Sequence, residues 1–252
     1  EKFSLEWFEE VDRRFIFGAR LFAHEDSPFD KIIPFSEMKG KRVLEIGCGM
    51  GLHSELMTRA GAEVVAVDIS ATSVEATKRR FELKNLQIEV YRGDAVELQF
   101  PPESFDYVWS WGAIHHSAYT GRIVRQFDRV LRPGGQAHVM VYHLGGMPAY
   151  IVIFLRYVLG FWANRGLDEY LWKSSDGYIA RYYTNDSLSD LFYTFFEEVN
   201  INIYGQDADA IPLPRRLRGL FLSFLSDEKL ARWGNRRGGL IQAVATKAKN
   251  AK

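Results

Sequence analysis

Three glycines alternate with other residues directly after a short apolar segment, in the stretch VLEIGCGMGLHS at residues 43–54. In open α/β sheets, the turn from the first strand into the first helix is rich in glycine, because glycine reaches positive φ and lets a ligand approach the backbone. Gly47, Gly49 and Gly51 predict that turn, and the amides that open the next helix favour negative charge or a carbonyl oxygen. Glu45, an acid inside an apolar strand, indicates a cationic ligand beside the turn.

Strand-like and helix-like segments alternate from residue 41 onward, which is typical of a parallel sheet covered by helices on both faces. Two later strands are expected to pair as an antiparallel edge. The pattern therefore predicts a doubly wound, Rossmann-like α/β fold with a mostly parallel seven-stranded sheet. Strands are predicted at 41–47, 62–70, 86–95, 105–116, 136–143, 197–205 and 239–248, and helices at 74–85, 121–131 and 184–196.

The length and composition suit one domain with a sizeable core, since 47% of the 252 residues are apolar and 25% are charged. Within a single domain spanning 1–252, residues 1–40 are predicted to form a helical N-terminal extension and 41–143 the cofactor-binding core. The stretches 144–183 and 206–238 interrupt the alternation. We expect these two insertions to form a lid and part of the substrate-binding region.

Charge and cysteine content narrow the classes of partner. Lys plus Arg equals Asp plus Glu at 32 each, so no overall positive field recruits nucleic acid or an anionic membrane. The single cysteine, Cys48, excludes an intramolecular disulfide and a multi-cysteine metal site. The first residues lack the basic flank and apolar run of a secretory signal. A cytoplasmic protein without a bound metal is predicted, and its oligomeric state is left open.

The longest apolar run, at 149–163, is shorter than the roughly 20 residues that span a bilayer and carries Arg156 near its middle. No transmembrane segment is therefore expected. Residues 151–162 are interpreted as a lid helix or a protein contact, in preference to a peripheral membrane contact.

The spacing of the glycines separates the candidate ligands. A dinucleotide fingerprint needs a third glycine at the position of Leu52, whereas the chain has it at Gly51. A phosphate loop would end in Gly-Lys-Ser/Thr, which the stretch lacks. Both classes of phosphate site are disfavoured.

Two acids follow consecutive strands on the same side of the predicted sheet. Asp68 is well placed to accept hydrogen bonds from ribose hydroxyls, and Asp94 with Ala95 to receive the exocyclic amine of adenine. Carboxylates that line this crevice repel a pyrophosphate and suit a cationic adenosine ligand.

Five motifs, VLEIGCGMG, VVAVDIS, YRGDA, FDYVWSWGAIHH and LRPGG, occur in that order within residues 41–143. They resemble those of class I S-adenosylmethionine-dependent methyltransferases, nearest to the ubiquinone/menaquinone C-methyltransferase-like, methyltransferase type 11 group. The resemblance implies S-adenosyl-L-methionine as cofactor and S-adenosyl-L-homocysteine as product. Gly47, Cys48 and Gly49 would touch the methionine moiety, and Glu45 would orient the loop or reach the ligand's amino group. The full implied cofactor-binding set is Glu45, Gly47, Cys48, Gly49, Gly51, Asp68 (ribose), Ile69 (adenine face), Asp94 and Ala95 (adenine edge), and Ser110 and Trp111 (wall beside the sulfonium).

A general base helps the reaction if the methyl acceptor is a hydroxyl or an acidic carbon. Its natural place is the loop after the fourth strand, which holds His115 and His116, and His143 at the end of the fifth strand opens onto the same crevice. These three histidines compete for one catalytic role, with structural packing as the alternative. Cys48 is interpreted as a small loop residue, since nothing nearby in sequence lowers its pKa.

The acceptor region is predicted to include the stretch SSDGYIARYYTN at 174–185, where Arg181 or Asp176 would fix a polar end of the substrate. A solvent-exposed connection is the alternative. The predicted function is metal-independent methylation of a small-molecule acceptor at oxygen or carbon, with the identity of the methylated atom left open. Two alternatives remain, namely methylation of a lipid-soluble quinone or isoprenoid acceptor and binding of the cofactor without transfer.

Overall fold

A computed structural model describes residues 1–22, 28–157, 159–160, 166–167, 169, 171, 179–213, 215–222 and 224–249 of the chain. Its centre is one mixed sheet in the order β3-β2-β1-β4-β5-β8-β7, with β8 antiparallel to both of its neighbours. This confirms the predicted doubly wound fold with an antiparallel edge. The strands are β1 (Arg42–Ile46), β2 (Glu63–Asp68), β3 (Glu89–Arg92), β4 (Phe105–Trp111), β5 (Leu131–His143), β6 (Tyr182–Tyr183), β7 (Glu198–Tyr204) and β8 (Leu240–Thr246).

The strands differ from the sequence prediction in three places. The two-residue strand β6, which pairs with the end of β5, is too short to produce an alternating pattern in the sequence. With β6, the sheet of the described residues has eight strands rather than the seven predicted. β5 begins at Leu131, directly after the preceding helix, so the proline and glycines of RPGG lie within the strand rather than before it. β4 ends at Trp111, and a 3₁₀ turn at Ile114–His116 follows.

The helices lie on both faces of the sheet, and several of them begin at side-chain N-caps. Ser70 Oγ accepts a hydrogen bond from the Ser73 amide at 3.3 Å, and Thr184 Oγ1 accepts one from the Ser187 amide at 3.1 Å, as N-caps do. The described helices are α1 (Leu5–Gly18), α2 (Phe35–Met38), α3 (Leu52–Arg59), α4 (Ala71–Leu83), α5 (Thr120–Val130), α6 (Met147–Tyr157), α7 (Asn185–Tyr193), α8 (Asp207–Ala210), α9 (Arg215–Leu222) and α10 (Asp227–Arg236).

Successive strand residues point to opposite faces, so each face of the sheet has its own core. Leu44 and Val108 belong to the core under α5 and α7, whereas Val43 and Trp109 belong to the opposite core. The N-terminal extension supplies much of that second core, with Phe29 fully buried against it. The extension is therefore an integral part of the packed domain.

Helix α1 is tied to the sheet-covering helices by a buried ion network. Arg80 of α4, only 1% exposed, donates to Asp12 of α1 at 2.6 and 2.9 Å and to Glu55 of α3 at 2.6 Å. Lys84 also donates to Glu55, at 2.9 Å. This network holds α1 against the start of the glycine turn.

No helix in the described part of the chain is long and apolar enough to cross a membrane.

Candidate active site

Two cavities adjoin each other beyond the carboxyl ends of β1, β2 and β4, where the strand order reverses. Gly47 and Gly112 line both cavities. We call the first, of about 570 Å³, the aromatic cavity, and its lining includes Phe15, Phe22, His53, Trp111 and Tyr142. We call the second, of about 540 Å³, the aspartate cavity, and its lining includes Asp68, Ile69, Asp94, Ala95 and His116.

The three glycines of the turn all have positive φ, at 81°, 54° and 77° for Gly47, Gly49 and Gly51. The space around them differs. A Cβ at Gly47 would lie 2.3 Å from the Cβ of Ala113, and one at Gly51 would lie 3.1 Å from Thr77, whereas none of the described atoms lies within 4 Å of a Cβ at Gly49. Contacts within the protein thus explain why Gly47 and Gly51 carry no side chain. At Gly49 the space above the turn is open.

Asp68 holds the turn in place through both carboxylate oxygens. The Gly49 amide donates to Oδ2 at 3.0 Å and the Ser70 amide donates to Oδ1 at 2.8 Å. Thr77 Oγ1 donates to the Gly49 carbonyl oxygen at 3.2 Å. The turn is therefore preorganised before any ligand binds, and Asp68 still faces the aspartate cavity.

Glu45 is 2% exposed and lines the aromatic cavity, where Ser54 Oγ donates a hydrogen bond to its carboxyl group. Burial, reinforced by the negative charge of Asp68, raises the pKa of Glu45 to about 8. Arg80 is the cation that opposes this shift, but its guanidinium group pairs with two other carboxylates. A positively charged ligand beside the glycine turn would favour the ionised form of Glu45.

Cys48 also lines the aromatic cavity, and it receives a hydrogen bond from Thr77 Oγ1 at 3.4 Å. Burial raises the pKa of the Cys48 thiol to about 12. A neutral thiol is a poor nucleophile, so Cys48 serves as a small, apolar part of the wall.

The aspartate cavity combines a solvent-exposed apolar side chain, Ile69, with carboxylates at the ends of two strands. Ile69 is 67% exposed although it follows a buried strand. Asp94 accepts a hydrogen bond from the Val96 amide at 2.9 Å, which fixes the loop that also presents Ala95 to the cavity. The arrangement offers one apolar face and polar edges to a planar heterocycle.

The two residues predicted beside the sulfonium occupy different environments. Trp111 lines the aromatic cavity and stacks on Trp109, with ring centroids 5.6 Å apart and planes 5° from parallel. Ser110 is fully buried and donates to the Ile46 carbonyl oxygen at 3.1 Å, and it does not line either cavity. Ser110 therefore connects β4 to β1.

The three candidate bases are separated by the structure. His116 lines the aspartate cavity, and its Nδ1–H donates to the Ile179 carbonyl oxygen at 2.9 Å. His115 is fully buried with its ring 4.2 Å from that of Tyr142, and His143 is buried with its Nδ1–H donating to the Gly238 carbonyl oxygen at 2.8 Å. His115 and His143 line neither cavity.

The cover of the aromatic cavity comes largely from a segment to which the sequence had assigned no site role. α1 and the turn after it contribute seven lining residues, and the insertion at 206–238 contributes Gln206, whereas the described residues of 144–183 line neither cavity. Arg181 lies elsewhere, with Nη2 donating to the Ala118 carbonyl oxygen at 3.0 Å, and Asp176 lies outside the described residues. The N-terminal lining residues are Val11, Asp12, Arg14, Phe15, Gly18, Ala19 and Phe22.

Sequence reasoning also missed His53 and Tyr142. His53 stands two residues after Gly51 at the start of α3, and Tyr142 directly precedes the predicted base His143. Only proximity to the glycine turn distinguishes His53 in the sequence. No group of three or more metal-ligating side chains occurs in the part of the chain that the structure describes.

Residues 44–139 match the model of a family described as a methyltransferase domain. The ubiquinone biosynthesis O-methyltransferase of Bradyrhizobium sp. is 36% identical over 134 residues, which are 53% of this chain and 52% of the relative. The chain carries a methyltransferase domain at residues 44–139. It thus spans about half the length of this curated relative.

Solved structures agree with this methyltransferase domain at the level of the fold. An S-adenosylmethionine-dependent methyltransferase from Mesorhizobium loti matches with a TM-score of 0.58 at 19% identity, covering 87% of this chain and 97% of that one. The [4+2]-cyclase SpnF matches with a TM-score of 0.55 at 17% identity, covering 86% of this chain and 79% of that one. At such identities the likeness concerns architecture, and the chemistry has to be argued from the site.

Proposed function

We propose that the chain binds S-adenosylmethionine across the two cavities and transfers its methyl group to an oxygen or carbon atom of a small acceptor in the aromatic cavity. The observation that carries this proposal is the buried acid Glu45, which lines the aromatic cavity two residues before Gly47, a residue that lines both cavities. The cofactor carries an ammonium group and a sulfonium group, and either positive charge would favour the ionised form of Glu45.

In this arrangement the nucleoside occupies the aspartate cavity. Asp68 accepts hydrogen bonds from the ribose hydroxyls with the lone pairs that the loop amides leave available, since each carboxylate oxygen has two. Ile69 covers one face of the adenine, and Asp94 and Ala95 face its edge. The methionine portion then crosses the open space above Gly49 and brings its amino group toward Glu45.

When bound, S-adenosylmethionine supplies an activated methyl group on a sulfonium. The chain's own contribution is to align the acceptor with that methyl and to exclude water, because in-line displacement needs no covalent enzyme intermediate. α1 and Phe22 cover the aromatic cavity for this purpose. Of the three candidate bases, His116 is the one that lines a cavity.

The acceptor that suits the aromatic cavity best is a flat, largely apolar molecule with a hydroxyl group. Phe15, Phe22 and Trp111 offer faces and edges for stacking with such a ring. The relatives named as ubiquinone biosynthesis O-methyltransferases favour an oxygen atom on a lipid-soluble ring as the methylated position. An aromatic hydroxyl is therefore the proposed acceptor group.

Isothermal titration tests the first half of the proposal. Wild-type protein is expected to bind both S-adenosylmethionine and S-adenosylhomocysteine, and failure to bind either would remove the proposed function. Incubation with methyl-labelled cofactor and a panel of catechols, phenols and lipid extracts then tests transfer. We expect label in an oxygen-methylated phenolic product.

A cofactor-binding protein without methyl transfer is the second candidate. Its supporting observation is the fold likeness to a protein named as a [4+2]-cyclase, which indicates that this architecture is used for chemistry other than methyl transfer. Tight cofactor binding without any labelled product in the assay above would favour this second candidate.

A further inference from the structure

His53 has a defined tautomer. It lies at the start of α3, is 7% exposed and lines the aromatic cavity. Trp109 Nε1–H donates to His53 Nδ1 at 3.1 Å. Because an indole nitrogen can only donate, Nδ1 of His53 carries no proton and the neutral ring has its hydrogen on Nε2.

His53 also has a defined charge. Burial, with a smaller contribution from the positive charge of Arg80, lowers the pKa of His53 to about 3. The ring therefore stays neutral across the ordinary pH range. Since Nδ1 is occupied by Trp109, His53 is neither a cation nor a general base, and what it offers is one N–H donor.

That donor has no hydrogen-bond partner among the described residues. The rings of Phe29, Phe15 and Trp111 surround the imidazole at centroid distances of 4.6, 5.7 and 6.0 Å, and aromatic carbons supply no conventional acceptor. A buried donor left without an acceptor costs about 1–3 kcal/mol. Such groups are rare in folded proteins, and each calls for a specific explanation.

We propose that His53 donates its Nε2–H to an oxygen atom of the methyl acceptor and thereby selects acceptors that carry an oxygen at that position. The inference rests on the proposed function for the identity of this ligand as the methyl acceptor. Phe15, Phe29 and Trp111 form an apolar wall around the donor, which matches a flat ring bearing a carbonyl or hydroxyl oxygen. The polar methionine end of the cofactor is instead served by Glu45 and the glycine turn.

Binding of two matched probes to the full chain tests this assignment. Menadione and 2-methylnaphthalene share a methylated two-ring skeleton, but only menadione has carbonyl oxygens. Equilibrium dialysis gives the ratio of their dissociation constants for wild-type protein and for His53→Leu. The preference for menadione is expected to fall roughly tenfold in His53→Leu, the loss of one hydrogen bond.

His53→Gln is the matched control, because its amide can accept from Trp109 and donate into the cavity. It is expected to keep the wild-type preference, and thermal unfolding of both variants checks that they fold. An unchanged ratio in His53→Leu, or a wild-type protein that binds neither probe, would overturn the inference.

Titration with S-adenosylmethionine separates this inference from the proposed function. Affinity for the cofactor is expected to stay within about twofold in His53→Leu, well under the tenfold that one hydrogen bond contributes. A loss of cofactor affinity without a change in the probe ratio would assign His53 to the cofactor and overturn the inference. A His53-dependent preference for menadione in a protein that binds no cofactor would retain His53 as the donor to an oxygen-bearing ring, and would remove the proposed function and with it the identity of that ring as the methyl acceptor.

Discussion

The aspartate cavity and the aromatic cavity adjoin each other, but they are assembled from very different parts of the chain. Every residue that lines the aspartate cavity falls between positions 46 and 123. The lining of the aromatic cavity extends from Val11 to Leu240. The first is a product of consecutive strand-to-loop turns, whereas the second exists only after the N-terminal extension and the second insertion have packed onto the sheet.

This difference separates the part of the site proposed to hold the cofactor from the part proposed to bind the acceptor. Short motifs of the aspartate cavity carry their geometry locally, because a strand end and the turn after it are fixed by a few residues. The aromatic cavity depends on α1, which the ion pair between Asp12 and Arg80 holds in place. Substitutions can therefore damage one cavity and spare the other.

The largest effect is expected for Asp68→Ala. This variant removes acceptors for two loop amides and the proposed acceptor for the ribose, so the dissociation constant for S-adenosylmethionine should rise by roughly two to three orders of magnitude. Isothermal titration measures it. Asp106→Ala is the matched control, because Asp106 also accepts a backbone N–H, from Arg42 at 2.8 Å, but lines neither cavity. Equal losses in the two variants would contradict a specific role for Asp68.

A smaller effect, centred on the aromatic cavity, is expected for Asp12→Ala. Arg80 stays buried after the change and keeps only Glu55 and backbone partners, so the free energy of unfolding should fall by about 2 kcal/mol. Urea unfolding measures this fall, and hydrogen exchange should show lost protection in Leu5–Gly18. Glu10→Ala is the control, since its partners Arg13 and Arg14 are exposed and such pairs contribute at most about 1 kcal/mol. Unchanged exchange in α1 would contradict the ion pair as its anchor.

The smallest expected effect is a pH dependence of cofactor binding that originates at Glu45. Its pKa of about 8 in the free protein means that the carboxyl group is protonated at pH 7, and a bound cation favours ionisation and lowers that pKa. Binding at pH 7 should therefore release close to one proton, and affinity should rise with pH until about pH 8, by at most tenfold per pH unit. Calorimetry in buffers of different ionisation enthalpy counts the protons. Glu45→Gln should abolish the release, and persistent release in that variant would assign the proton to another group.

The features that could be predicted from the sequence are the local ones, and those that could not depend on contacts between distant segments. The sheet, its antiparallel edge and the positive φ of the glycine turn were predictable, since alternation of apolar segments and the preference of glycine for such turns are local properties. β6 was missed because two residues give no period. That the two insertions form the lid remains a prediction. The segment that the described residues place over the aromatic cavity is α1.

His53 illustrates what sequence reasoning lacks. Its neighbours in the chain identify it as an early helix residue, and nothing there indicates that Trp109, 56 positions away, fixes its tautomer. The pKa of a histidine depends on burial and on nearby charges, and both are decided by distant segments.

The sequence by itself determined the fold class, the methyltransferase motifs and the order in which Glu45, Asp68 and Asp94 follow successive strands. It did so because strands, turns and their end residues are specified over a few positions. Only the tertiary structure decided which histidines line a cavity, that Ser110 donates a hydrogen bond to a neighbouring strand, and that α1 covers the aromatic cavity. Those outcomes depend on contacts between segments far apart in the chain, where packing rather than local preference chooses the partners.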